Sequence, residues 1–293
     1  MTSTLSIISD NIDEKSGLYP HSVNSIFSEI ESKLFQIFDE ETKKTNSIIL
    51  KFKRSAISKM ALFLSGSITR SASVGIAGET ASGKSTVALD MIDTIQSFAT
   101  EFEIKNAITR INTDDYYHDR SEMVKKAGSF ANFAKDYDLD VPAALELSLM
   151  KKHIRQLQSG YCVLLPKYDM SGTAIRIDNH QHAEPSNIII SEGLFTLTED
   201  IHEAFDFKIY VDVTKTIQAE RFFIRSSERG LGDSAKTIFE NASKKAEIYI
   251  KPCAENADFI LSGEACRNKY KEFLNRILGL VQEYHFEEVY AAQ

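Results

Sequence analysis

The chain has 293 residues, of which 43% are hydrophobic and 26% charged, and a formal net charge of −8 at pH 7. That length buries a sizeable core and exceeds what one ordinary domain needs, so a single catalytic domain plus an extension is the first expectation. The acidic balance, with no block of Lys and Arg, argues against nucleic acid as a partner, and the ordinary apolar content argues against disorder throughout.

Cys162, Cys253 and Cys266 are odd in number and lack CxxC spacing. They point away from a disulfide framework or a zinc site and toward a reducing, cytoplasmic setting. No basic stretch followed by an apolar run opens the chain, and the densest apolar block, MALFL at 60–64, is far too short to span a membrane. Neither an export signal nor a membrane helix is expected.

Ile26, Phe27, Ile30, Leu34, Ile37 and Phe38 recur at steps of three and four, opposite Glu29, Glu31 and Lys33, which predicts an amphipathic helix. The segment SIILKFKRSAISKMALFLSGSI (47–68) is expected to be helical over part of its length, packing on its own domain with a solvated basic face. Residues 1–70 therefore read as an N-terminal helical extension of unassigned role.

From about residue 71 short β-rich runs alternate with helical segments. The strands are SVGIA (73–77), NAITRIN (106–112), NIIIS (187–191), FKIYVDV (207–213) and DFIL (258–261), with helices beginning near Lys84, Pro142, Thr216 and Asp233. This alternation marks a parallel sheet with crossover helices, a three-layer α/β domain over 71–293.

Between the first of these strands and its helix stands AGETASGKST (77–86). Gly78, Glu79, Thr80, Ala81, Ser82, Gly83, Lys84 and Ser85 match G-x-x-x-x-G-K-[ST] in full, and Thr86 follows. The glycines let backbone N–H groups turn inward around phosphates, and the helix N-terminus adds partial positive charge. Lys84 is suited to reach the β and γ phosphates, and Ser85 to ligate magnesium, which gives the P-loop NTPase fold. The motif leaves ATPase, GTPase and kinase open. NKYK (268–271) and TKTI (214–217) both lack the aspartate of the guanine-reading N/T-K-x-D pattern, so ATP is the expected nucleotide.

INTDDYYHD (111–119) ends a predicted strand in Asp114 and Asp115. Ligands of an open parallel sheet bind beyond the carboxyl ends of its strands, where a carboxylate can take a hydroxyl proton or bind magnesium. A helix cap or a turn uses the same residues. The residues alone leave both readings open.

Taken together, these motifs resemble the uridine/cytidine kinase branch of the phosphoribulokinase and uridine kinase family. GIAGETASGKST is similar to its P-loop and TDDYYHD to its strand-end aspartate followed by aromatics. YDLDVPAALELSL (137–149) resembles the segment with its ribose-binding aspartate, LPKYD (165–169) its Leu-Pro-x-Tyr block, and IIISEGLFTL (188–197) its strand ending in Glu-Gly. AERFFIRSSERG (219–230) resembles its lid and KPCAENADFIL (251–261) its closing segment, so the likeness runs in the family's order from about 73 to 272.

The resemblance implies a kinase domain using ATP and magnesium to phosphorylate a hydroxyl of a small molecule, a ribonucleoside first. Residue by residue it implies Asp114 as general base and magnesium partner, Glu192 as a metal-associated glutamate, and Asp140 as partner of ribose hydroxyls. Tyr117 and Tyr168 match residues lining the acceptor pocket. Arg221, Arg225 and Arg229 stand at four-residue steps, so on one helix they share a face suited to phosphates. The resemblance favours Arg221 and Arg229 for the transferring group and leaves Arg225 to the nucleotide. A homo-oligomer is also implied.

Several positions depart from that pattern. Glu79 stands where a second glycine is common, Leu139 replaces an aromatic, and Thr173 falls where the family places a pyrimidine-contacting histidine. Arg176 is shifted by one residue from the family's following arginine, and Leu231 occupies the place of another. Phosphoryl-transfer parts are kept while base-reading parts are altered. Uridine recognition is thereby opened to another sugar, acid or vitamin-like alcohol as acceptor; a separate alternative is a catalytically silent nucleotide-binding regulatory module with residues 1–70 as its partner-binding element.

Overall fold

A computed structural model describes residues 19–228, 232 and 234–285. Helix α1 (Tyr19–Thr42), strand β1 (Ile49–Phe52) and helix α2 (Arg54–Leu64) lead into β2 (Ala72–Ala77), α3 (Lys84–Glu101) and β3 (Ile108–Asn112). Short helices α4 (Ser121–Ala127) and α5 (Phe130–Asp136) precede α6 (Leu147–Gln158) and a hairpin of β4 (Val163–Tyr168) and β5 (Arg176–Ala183). Then follow β6 (Ile188–Glu192), β7 (Phe207–Asp212), α7 (Lys215–Glu228), α8 (Ser234–Tyr249), β8 (Phe259–Ser262) and α9 (Arg267–His285).

The main sheet has the order β1-β8-β7-β2-β6-β3. Its last five strands run parallel, and β1 joins β8 antiparallel, so the sheet is mixed at one edge. All five strands expected from the sequence are present. Segment 47–68 differs from expectation, because its first part is the edge strand β1 and only its second part is helical. Lys51 and Lys53 lie on and just after that edge, where charge discourages pairing with another chain.

Alternation along the strands builds a core on each face. Val74, Ile76, Ile190, Ile209 and Val211 pack with Ile30 and Leu34 of α1, Ile57 of α2, Val87 of α3 and Phe273 of α9. Ala77, Ile189 and Tyr210 point the other way, with Met150, Ile154 and Leu157 of α6 and Ala246 of α8. The result is a three-layer α/β architecture in which the expected amphipathic helix lies within α1.

Phe38, 2% exposed, ties the N-terminal segment to this core. Its ring centre lies 5.4 Å from Phe52 of β1, 5.3 Å from Phe259 of β8 and 5.0 Å, edge-on, from Phe273 of α9. Phe38→Ala is expected to cost about 3–5 kcal/mol, read as a lowered denaturant midpoint. An unchanged midpoint would mean that α1 folds apart from the sheet.

Candidate active site

Strand pairing brings the site together. Ile76 of β2 and Asn112 of β3 are both in register with Glu192 at the end of β6. The P-loop, Asp114 and Glu192 therefore emerge side by side at the carboxyl end of the sheet.

The loop's shape is set by local chemistry. A Cβ on Gly78 would lie 2.6 Å from both Ser82 Oγ and the Val211 carbonyl oxygen, so only glycine fits there. Ala81 at φ 60° and Gly83 at φ 98° take left-handed conformations, the latter at the N-cap of α3. Lys84 is half-buried, while Ser85 and Thr86 are exposed on the first turn. Glu79 turns away from the cradle: it is buried, with its carboxylate 3.3 Å from Lys215 Nζ of α7.

Ser85 Oγ donates to Glu192 Oε2 at 3.1 Å, and Arg110 of β3 approaches Glu192 Oε1 at 3.5 Å. Thr113 Oγ1 donates to the Glu192 carbonyl at 2.7 Å, pinning the end of β6 to the end of β3. Neither Arg110 nor Thr113 carried a sequence signal. Burial pulls the Lys84 ammonium below the usual lysine range against the opposing charges of Glu192 and Asp114. Asp114 is raised above the usual carboxylate range by burial and then by Glu192, with Lys84 opposing.

The two aspartates separate here. Asp115 Oδ1 accepts the Tyr168 N–H at 3.2 Å and stands 3.1 Å from Lys167 Nζ, which fastens the β4–β5 hairpin. Asp114, whose own N–H donates to Asn112 Oδ1 at 3.3 Å, is the one electrostatically coupled to Lys84 and Glu192.

A family comparison adds to this geometry. The Phosphoribulokinase / Uridine kinase family model matches residues 73–268. The chain belongs to this family. It is similar to uridine kinases of Clostridium perfringens, 34% identical over 192 residues covering 64% of this chain and 85% of that one, and of Brevibacillus brevis, 29% identical, covering 64% and 83%. The uridine kinase of Halobacterium salinarum is 30% identical, covering 64% and 78%. The chain is a kinase of the phosphoribulokinase/uridine kinase family.

The family implies ATP and a divalent cation, and the residues present fit both. Ser82 Oγ is buried within the loop without a hydrogen-bond partner, as an atom awaiting a phosphate oxygen would be. Ser85, Asp114 and Glu192 offer hard oxygen donors. Among the described residues no group of three or more His, Cys, Asp or Glu is arranged to hold a metal. A cation completed by phosphates, as magnesium is, suits such a sparse protein set.

One face of α7 braces the outside of the P-loop. Gln218 Nε2 donates to the Thr80 carbonyl at 3.0 Å, and Arg225 NH2 donates to Thr80 Oγ1 at 3.1 Å. Arg221 NH1 donates to the Gly263 carbonyl at 2.8 Å and reaches the Ser82 carbonyl at 3.5 Å. Arg229 and Leu231 lie outside the described residues. Gly263, which follows β8, escaped the sequence reading, yet a Cβ there would fall 1.9 Å from the Ser82 carbonyl oxygen.

On the acceptor side Tyr117 and Tyr168 pack with ring centres 5.2 Å apart. Burial raises the Tyr117 phenol above its usual range, and Asp114 and Asp140 raise it further. Asp140, also raised by burial, lines a cavity of about 200 Å³ with Thr80, Phe195, Phe222, Arg225 and Lys245. Thr173 is exposed and donates to Asp169, which that bond and those from Ser171 hold down to about 2. The Arg176 guanidinium stands 2.9 Å from both Glu146 and Asp178 and 3.5 Å from the Tyr117 carbonyl, which makes it a brace between segments.

Among the described residues no helix is long and apolar enough to cross a membrane, and all three cysteines are free.

Proposed function

We propose that this kinase transfers the γ-phosphoryl group of ATP to a hydroxyl of a neutral ribonucleoside. The observation that carries the reading is the division of labour between the paired aspartates: Asp115 fastens the hairpin, while Asp114 stands half-buried and charge-coupled to Lys84 and Glu192. In this role Asp114 accepts the proton of the attacking hydroxyl, and its raised pKa brings it nearer the range of an effective base. Lys84 and the inward N–H groups of residues 79–86 hold the phosphates, and Ser82 Oγ donates to one of their oxygens. Ser85, Glu192 and Asp114 would hold magnesium, which when bound neutralises charge on the phosphates. Asp140 accepts from ribose hydroxyls, and the Tyr117–Tyr168 pair walls the acceptor. Arg221 and Arg225 keep the loop in shape from α7. Positioning and electrostatics supply most of the rate.

ADP release with magnesium-ATP, measured against ribonucleosides, sugars and hydroxy acids, tests the reading. Release stimulated by a pyrimidine ribonucleoside is expected. Stimulation by a hydroxy acid alone would move the chain to another acceptor class, and nucleotide binding without transfer to any acceptor would favour a silent module.

A further inference from the structure

Arg120 differs from the other cations of the acceptor side. Lys167 pairs with Asp115, Lys245 with Asp138 and Arg176 with Glu146 and Asp178, whereas Arg120 forms no ion pair among the described residues. Its Nε donates to the Tyr137 hydroxyl at 3.0 Å, and its guanidinium carbon lies 5.1 Å from the centre of that ring. Tyr137 is itself stacked on Phe133, with centres 4.9 Å apart and planes 19° apart. The Arg120 N–H donates to the Ala174 carbonyl at 3.0 Å, which fixes the residue beside the turn whose Thr173 is engaged with Asp169. The guanidinium is thus held by neutral aromatic support at its Nε end. Among the described residues no acceptor engages its terminal nitrogens.

Its place relative to the chemistry follows from the aromatic floor. Arg120 is hydrogen-bonded to Tyr137, and two residues further on the Leu139 carbonyl accepts the hydroxyl of Tyr117 at 3.4 Å, whose ring packs on Tyr168. Arg120 stands three positions after Tyr117, a span of up to roughly 10 Å of chain. That is the scale of a nucleoside lying from its reacting hydroxyl to the far edge of its base.

We infer that Arg120, oriented by Tyr137, is a specificity-determining residue that donates to the 4-carbonyl oxygen of the acceptor's base and so selects uracil over cytosine. The inference rests on the ribonucleoside reading above. A guanidinium only donates and never accepts. Uracil presents a carbonyl where cytosine presents an amino group, so the fork meets an acceptor in one case and another donor in the other. A donor desolvated without a partner costs more than a bond gained, which turns this difference into discrimination.

The test compares kcat/KM for uridine and cytidine, at saturating magnesium-ATP, in the wild type, Arg120→Met and Tyr137→Phe. The wild type is expected to prefer uridine. Arg120→Met should lower kcat/KM for uridine about 10- to 100-fold, mainly through KM, while cytidine is unchanged or improved. The KM for ATP should hold. Tyr137→Phe, which keeps the ring and removes only the hydroxyl, should move the ratio the same way by less. An unchanged ratio in Arg120→Met, equal losses for both nucleosides with a lowered Tm, or a wild-type preference for cytidine would each overturn the role of Arg120 while leaving nucleoside phosphorylation intact. Transfer to neither nucleoside by the wild type would overturn both readings together.

Discussion

Asp114→Asn is expected to lower kcat by about 10²- to 10⁴-fold, the range for losing a positioned general base, while leaving ATP binding largely in place. The same substitution should raise the unfolding midpoint at neutral pH. Burial raises the folded-state pKa of Asp114, so ionising it costs the folded protein stability once pH exceeds the unfolded value. Asparagine removes that cost, which gives a variant that is more stable and nearly inactive. The pH profile follows with a definite sign. Wild-type activity should fall as pH drops through the Asp114 pKa, and the residual activity of Asp114→Asn should lack that acid limb. Asp115→Asn supplies the contrast: it loses the charge that Lys167 faces and weakens the anchor to the Tyr168 N–H, for about 1 kcal/mol of stability, and should keep most of kcat. Equal losses in both variants would mean that the pair acts only as a structural turn.

Gly263→Ala is expected to have the second large effect. A methyl group at this position would come 1.9 Å from the Ser82 carbonyl oxygen and 3.1 Å from that of Asp212. Both neighbours are backbone, so no side-chain rotation relieves the overlap. The P-loop must move, and with it the Arg221 bond to the Gly263 carbonyl. Overpacking of this kind costs about 1–3 kcal/mol, which here should appear as roughly 10- to 100-fold weaker binding of a fluorescent ADP analogue. Gly279→Ala is the control. Nothing lies within 4 Å of a Cβ there, and alanine in the middle of α9 should stabilise by about 0.5–1 kcal/mol without touching nucleotide affinity. Undiminished ADP binding in Gly263→Ala would show that the loop is not set by this contact.

These residues also show how far the sequence could be read. The P-loop was legible because all of its determinants are contiguous: the glycines, Lys84 and Ser85 stand in one run between a strand and a helix. The central strands were legible as apolar runs, since burial on both faces leaves little room for polar residues. Strand β1 was not, because its residues Ile49–Phe52 are too few to show a period and their pairing depends on the open edge of β8, more than 200 residues along the chain. The direction of Glu79 was equally hidden, being set by Lys215 of α7. Composition and spacing left Asp114 and Asp115 alike, the family resemblance singled out Asp114, and only the fold shows the hairpin, some fifty residues later, taking Asp115. Thr173 and Arg176 could be named from their place in a motif, yet their partners Asp169, Glu146 and Asp178 became visible only in the fold. Gly263 shows the same limit, since a glycine required by close approach looks like any other glycine until its neighbour is known.

The central claim, phosphoryl transfer from ATP to a nucleoside hydroxyl, is tested most directly by following the group itself. ATP carrying heavy oxygen in the nonbridging positions of its γ-phosphoryl is incubated with magnesium, uridine and the enzyme, and the products are weighed by mass spectrometry. The expected result is a uridine monophosphate that retains all of the γ label, with an unlabelled oxygen from uridine joining the two and an equal amount of ADP. Label appearing only in inorganic phosphate, with uridine recovered unchanged, would contradict the assignment of a nucleoside acceptor.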